Sequence, residues 1–226
     1  EEFGFLDKNK MRTDFLEYFR KKMHNKDHKW KVVYNHFYNF VNGKCSFGDV
    51  TVEMSKKFRE YLLSAKQLKH SKHPVSQNSA SAYYSTFRGL LKIAYIEKMF
   101  KENLNDYLEK IDCQDTKREY LTLDEVKRLA ATPCKIPVLK AASLFSCLTG
   151  LRISDILNLQ WADFGLAPDR GYCIRIRTQK TKTEATLPIS YEAYELCGEE
   201  RKGKVFKGLT RSMINYPLKH WLAEAG

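Results

Sequence analysis

Residues 136–148, "IPVLKAASLFSCL", are almost wholly apolar, and Thr149-Gly150 ends the run. A stretch this length is too short to cross a bilayer, which takes ~20 apolar residues. It is too long and too uniform for a surface helix. The second half of the chain must therefore wrap a buried helix over 136–148, with the chain turning sharply at Gly150. Directly after the break stands Arg152, in "LTGLRISDILNLQWADF" (148–164). A guanidinium fixed beside a core helix needs an anion. The anion is either a neighbour such as Asp155, three residues on, or something the protein binds.

The first half is also helical. Apolar residues recur at helical spacing over 10–24 (Met11, Phe15, Leu16, Phe19, Met23) and 28–41 (Trp30, Val33, Tyr34, Phe37, Val41). Asn42-Gly43 stops the second helix. Thr51 can cap a third, to about residue 66, and Ser76 opens a fourth, to about residue 100. Residues 110–120, "KIDCQDTKREY", lack periodicity and read as a linker between domains at 1–110 and 121–226. Beyond it, Thr122 and Glu125 form a capping box for a short helix. A further short helix is expected over 153–159. Residues 171–177 alternate, with Tyr172, Ile174 and Ile176 on one face and Cys173, Arg175 and Arg177 on the other, so a half-buried strand is expected. A turn at 179–183 leads to a second strand over 185–189. Helices are expected after Ser190 and after Thr210. The fold class is mainly α with a small antiparallel β-sheet.

Charge points to the partner. The chain carries +12, from 39 basic and 27 acidic residues. Each half contributes +6: 21 against 15 over residues 1–115, and 18 against 12 over 116–226. No acid occurs between Glu60 and Glu97, where Lys66, Lys69, Lys72, Arg88 and Lys92 fall. None occurs between Asp169 and Glu184, where Arg175, Arg177, Lys180 and Lys182 fall. Two separate one-sign patches suit a polyanion held between two surfaces. Ser76, Asn78, Ser79, Ser81, Ser85 and Thr86 crowd the start of the fourth helix, where hydroxyls and amides can contact phosphate oxygens. Their alternative is a solvated helix start. The six cysteines are scattered with no CxxC pair and no secretion signal, and read as free thiols of a reducing compartment.

At the catalytic level two residues stand out. Arg152 follows a helix-breaking glycine, a rigid place from which two phosphate oxygens can be gripped. The alternative is an internal Arg152–Asp155 ion pair. Lys180 or Lys182, at a hairpin tip, can reach a neighbouring cleft and donate a proton to a leaving oxygen. The alternative is a lysine that blunts a sheet edge.

These motifs resemble the tyrosine recombinases of the phage-integrase type, close to those on mobile elements of Bacteroides-like bacteria. "REYLTLDEVKRL" resembles the entry to the catalytic domain. "LTGLRISDILNLQWADF" is similar to the first arginine box, and "RTQKTKTEATLPIS" to the lysine hairpin, with Lys180 the best match. The first four helices look like the SAM-like core-binding domain, which favours integrases over type IB topoisomerases of similar chemistry. The resemblance implies two domains clamped on duplex DNA, self-association into a tetrameric synapse, a cytoplasmic location, and neither membrane nor cofactor nor metal. It implies a tyrosine attacking the scissile phosphate to give a 3′-phosphotyrosyl bond. Arg152 would stabilise the transition state with support from Asp155, and a lysine would serve the 5′ oxygen as acid. None of the six histidines has an arginine three residues on, and no tyrosine stands in the family's nucleophile context. Tyr216, near the end, reads as a packing residue. The chain is thus expected to be a C-terminally incomplete recombinase. The alternative is a DNA-binding regulator that kept the fold without the chemistry.

Overall fold

The computed structural model describes residues 9–69, 72–117, 119–168, 170–178 and 182–226. Contacts divide the chain into Glu1–Lys117 and Arg118–Gly226.

The first unit is built on α1 (Phe15–Met23), α2 (His28–Phe40), α3 (Val52–Ser64) and α4 (Gln77–Ile96). Each start is set by a side-chain oxygen on a first-turn amide: Asp14, Asp27, Thr51 and Ser76. The expected single helix over 10–24 is broken. Residues 9–12 are helical, but Asp14 leaves the helix to cap α1 and bridges Ser46. Met11 and Phe15 keep helical spacing across the break, so periodicity does not register it. The helices close on aromatic rings. Phe15, Phe19, Phe37, Phe58 and Phe87 are fully buried. Phe58 and Phe87 meet edge to face at 4.9 Å between ring centres. Such pairs add about 0.5–1.5 kcal/mol each beyond burial.

The segment after α4 corrects the linker. Leu104, Leu108 and Ile111 are buried in the same core. Three side chains of α4 then hold the backbone that follows. Ser81 donates to the Ile111 carbonyl at 2.7 Å and Gln77 to the Asp112 carbonyl at 2.9 Å. Asn78 donates to the Gln114 carbonyl at 3.0 Å and accepts the Gln114 amide at 2.7 Å. Residues 111–114 therefore belong to the first unit. The docking uses polar side chains against backbone, which leaves no periodic trace.

Two results are expected. Asn78→Ala should cost about 0.5–1.5 kcal/mol, because it removes the two hydrogen bonds that hold the exposed Gln114 backbone and water can replace them; urea unfolding measures it. Limited proteolysis of the native chain should cut within 115–121 and spare 111–114. Cuts confined to 111–114 would contradict the docking.

The second unit opens with α5 (Leu123–Ala131), whose Thr122–Glu125 capping box is fully formed. Next come α6 (Pro137–Thr149), with proline in its first turn, and the four-residue α7 (Ile153–Ile156). The expected helix to 159 stops earlier. The chain turns after Ile156 so that Leu159 can enter the core, and Gln160 and Asp163 cap a 3-10 turn over Trp161–Asp163. The sheet has three antiparallel strands in chain order: β1 (Phe164–Leu166), β2 (Tyr172–Arg177) and β3 (Glu184–Pro188). Strand β1 was not expected; three residues around Gly165 are too short to show alternation. In β2, Cys173 and Ile174 are both buried, so its first half is covered on both faces. Helix α8 (Tyr191–Glu195) follows Ser190. A 3-10 turn over Arg211–Ile214 leads to α9 (Tyr216–Ala225). Leu139 and Phe145 of α6, Ile156, Ile174 and Ala193 form the core. The fold is mainly α with a small antiparallel sheet.

Candidate active site and nucleic-acid interface

Gly150 ends α6 at φ +67°. A Cβ there would meet nothing within 4 Å, so left-handed backbone rather than crowding requires glycine. Leu151, 6 % exposed, then re-enters the core, and its carbonyl accepts the Ser146 hydroxyl at 3.0 Å. Arg152 caps α7, its carbonyl accepting the amides of Asp155 at 2.8 Å and Ile156 at 3.0 Å. Ile156 is buried on the other side. The backbone of Arg152 is thus clamped between two core residues while its side chain is exposed. Among the described residues no carboxylate lies within ion-pair distance of that guanidinium. Asp155, 5 % exposed, does not pair with it. The internal ion pair is not formed, and Arg152 is presented outward.

The hairpin of β2 and β3 meets the residues that follow this turn, from Asp155 to Asp163. Thr178 N–H donates to the Thr183 carbonyl and Lys182 N–H to the Thr178 carbonyl, both at 2.9 Å. Arg177 braces the loop, its Nε donating to the Lys182 carbonyl at 3.0 Å. Lys182 sits at φ +57°. Lys180, the expected acid, lies outside the described residues. Asp155, Asn158, Gln160, Asp163, Ile176 and Arg177 line one cleft of about 140 Å³. The base of the hairpin therefore shares a cleft with the end of α7 and the turn after it, which sequence spacing did not show. Arg175 is exposed, with its Nη2 3.5 Å from the Leu166 carbonyl.

In the first unit Lys66, Lys69, Lys72 and Lys92 are exposed. Two expected DNA contacts are instead committed to the fold. Arg88 donates from Nε to the Asn105 side chain at 3.2 Å, and Asn105 donates back to the Arg88 carbonyl at 3.0 Å. Asn78 holds Gln114. Ser76 caps α4 and donates to Ser79 at 2.9 Å, and Thr86 donates to the Ala82 carbonyl. Sequence reading missed the facing side of α2, where His28, Lys31 and Asn35 share a cleft with Lys69 and the start of α4. Their i, i+3, i+7 spacing was the available signal. Tyr216 is not a packing residue; it is 76 % exposed, its ring 6.2 Å from that of His220. All six cysteines are free thiols, and burial pushes Cys45 and Cys197 up to about 12. No helix among the described residues is long and apolar enough to cross a membrane.

Two family models match. Residues 13–112 match the phage integrase SAM-like domain and residues 119–213 the phage integrase family. No curated protein matches. Among solved structures, a lambda integrase tetramer bound to a Holliday junction matches 93 % of this chain at TM-score 0.63 and 17 % identity. Lambda integrase bound to DNA also gives 0.63 over 93 %, at 16 % identity. The XerH site-specific recombinase bound to its difH substrate gives 0.56 over 93 %, at 16 % identity. The chain spans 65 %, 77 % and 68 % of those chains respectively. At such identities the structural likeness carries the fold, and the two models carry the ancestry. The chain belongs to the phage integrase family of tyrosine recombinases.

Proposed function

We propose that this chain is the DNA-holding and strand-transfer portion of a site-specific recombinase of a mobile element, acting in the cytoplasm on duplex DNA and assembling on it with further copies. The observation that carries the reading is Arg152: an exposed guanidinium with no ion pair among the described residues, on a turn clamped at both sides. A phosphate is the anion such a site suits. In the reaction a tyrosine oxygen attacks the scissile phosphorus and the 5′ oxygen leaves. A 3′-phosphotyrosyl bond forms, and the leaving oxygen takes its proton from the hairpin lysine, Lys180 or Lys182. Arg152 stabilises the charge on the non-bridging oxygens. Asp155, buried three residues on, supports the turn. The bond energy is kept in the ester, so attack by another 5′ hydroxyl rejoins strands.

Within these 226 residues no histidine has the arginine partner at the family's spacing. The chain by itself is therefore expected to bind DNA without forming an adduct. A nicked suicide substrate carrying the element's own site, resolved on a denaturing gel, tests this. Retarded DNA with no covalent band is the expected result. A covalent band from residues 1–226 would make one of the tyrosines present a nucleophile and overturn this assignment of roles.

A further inference from the structure

The first unit contains a cleft of about 440 Å³ that the recombinase chemistry does not use. Helix α2 supplies His28 and Lys31, the loop before α4 supplies Lys69, and the start of α4 supplies Ser76 and Ser79. Among the described residues no carboxylate lines it. It also faces the N-terminal end of the 20-residue α4, where the helix dipole favours negative charge. His36 belongs to this lining, yet it is only 1 % exposed, and its Nδ1 has no hydrogen-bond partner among the described residues. A buried polar atom without a partner is destabilising.

We propose that this cleft seats a phosphodiester group of duplex DNA, and that His36 takes up a proton as the phosphate enters. The inference rests on the DNA-binding reading above. Lys31 and Lys69 are exposed at the rim and supply the attraction. The rings facing His36 are Tyr83 of α4, at 5.6 Å between ring centres, and Tyr61 of α3, at 6.1 Å. Neither is a carboxylate, and burial raises the Tyr61 hydroxyl above its usual range. Among the described residues no acid in the lining holds the imidazole protonated, and burial pushes His36 below its usual range. An entering phosphate reverses this balance by favouring the charged ring.

The sign follows from linkage. The group is neutral in the free protein at pH 7 and charged when bound, so binding takes up a proton at any pH between the two midpoints. Affinity rises as pH falls through the bound midpoint, and levels off below the free one. Each unit of upshift corresponds to a tenfold gain in affinity.

The test follows the imidazole proton signals of the whole chain by NMR, titrating pH alone, with inorganic phosphate, and with saturating non-specific duplex DNA. His36 is assigned by the loss of its signal in His36→Gln. The expected result is a midpoint below about 6.5 in the free protein that rises by about one unit with duplex. Lys31→Ala and Lys69→Ala, at exposed positions, should each diminish that rise. In anisotropy titrations the wild type should gain about three- to fourfold more affinity than His36→Gln between about pH 7.5 and 6, the part of a one-unit upshift that this window spans. Duplex that binds while the His36 midpoint stays put overturns the inference and leaves the DNA reading standing. Failure of duplex to bind at all sinks the DNA reading itself. A midpoint moved by inorganic phosphate but not by duplex makes the cleft a free-phosphate site, against the proposal. A rise undiminished in both lysine variants removes the cleft as its cause.

Discussion

Raising salt from about 50 to about 200 mM will cut the affinity of this chain for duplex DNA by ~10³–10⁵. That is the loss expected when about six to ten phosphate contacts release their condensed counterions. The premise is the +12 charge divided evenly between the halves, with exposed Lys66, Lys69, Lys72 and Lys92 in one and exposed Arg175 in the other. An anisotropy series in salt gives the slope. Replacing one exposed lysine that contacts phosphate should lower the slope by about 1 and weaken binding across sequences alike. Arg88→Ala should behave differently. Its guanidinium is bonded to Asn105, so it should lower stability and leave the slope unchanged. A flat affinity across the salt range would refute the DNA-binding premise.

The second large effect concerns Arg152. In a protein that carries this chain together with a downstream nucleophile, Arg152→Ala should lower the rate of covalent complex formation by ~10²–10³ or more. That is the loss typical of removing one preorganised charge stabiliser. Binding should change little, since one phosphate contact among many is lost. The structure makes the substitution clean. The side chain is exposed and makes no ion pair among the described residues, while the turn is held by Leu151, Ile156 and the Gly150 conformation. Equal losses in binding and cleavage would show that Arg152 serves only to hold DNA. The same substrate separates the two lysines. A 5′-bridging phosphorothiolate needs no acid, so it should rescue cleavage by Lys180→Ala. Rescue of Lys182→Ala alone would move the acid two positions along the hairpin.

What could be read directly from the residues was local. Helical periodicity, the capping oxygens of Thr51, Ser76 and Thr122, and the glycine break at Gly150 act within about one turn of helix. Such signals survive in a bare string, and with them came the α-rich class and the arginine turn. The even division of charge was legible too, because charge needs no fold to be counted. The family motifs were equally plain, since each is a contiguous run.

Tertiary structure decided which polar groups were already taken. Asn78 looked available for phosphate in a basic stretch, yet its amide is spent on Gln114, 36 residues on. Arg88 is held by Asn105, 17 residues on. A hydrogen-bond partner that far along the chain is chosen by packing, and no spacing rule records it. Packing also bent the chain after Ile156 and added β1. It set the base of the lysine hairpin against the end of α7, and it sealed His36 beneath a basic cleft. The sequence by itself determined the kinds of element and the charge they carry. Only the fold determined which side chains remain outward to meet an anion, because burial and long-range pairing remove polar groups without regard to their neighbours in the chain.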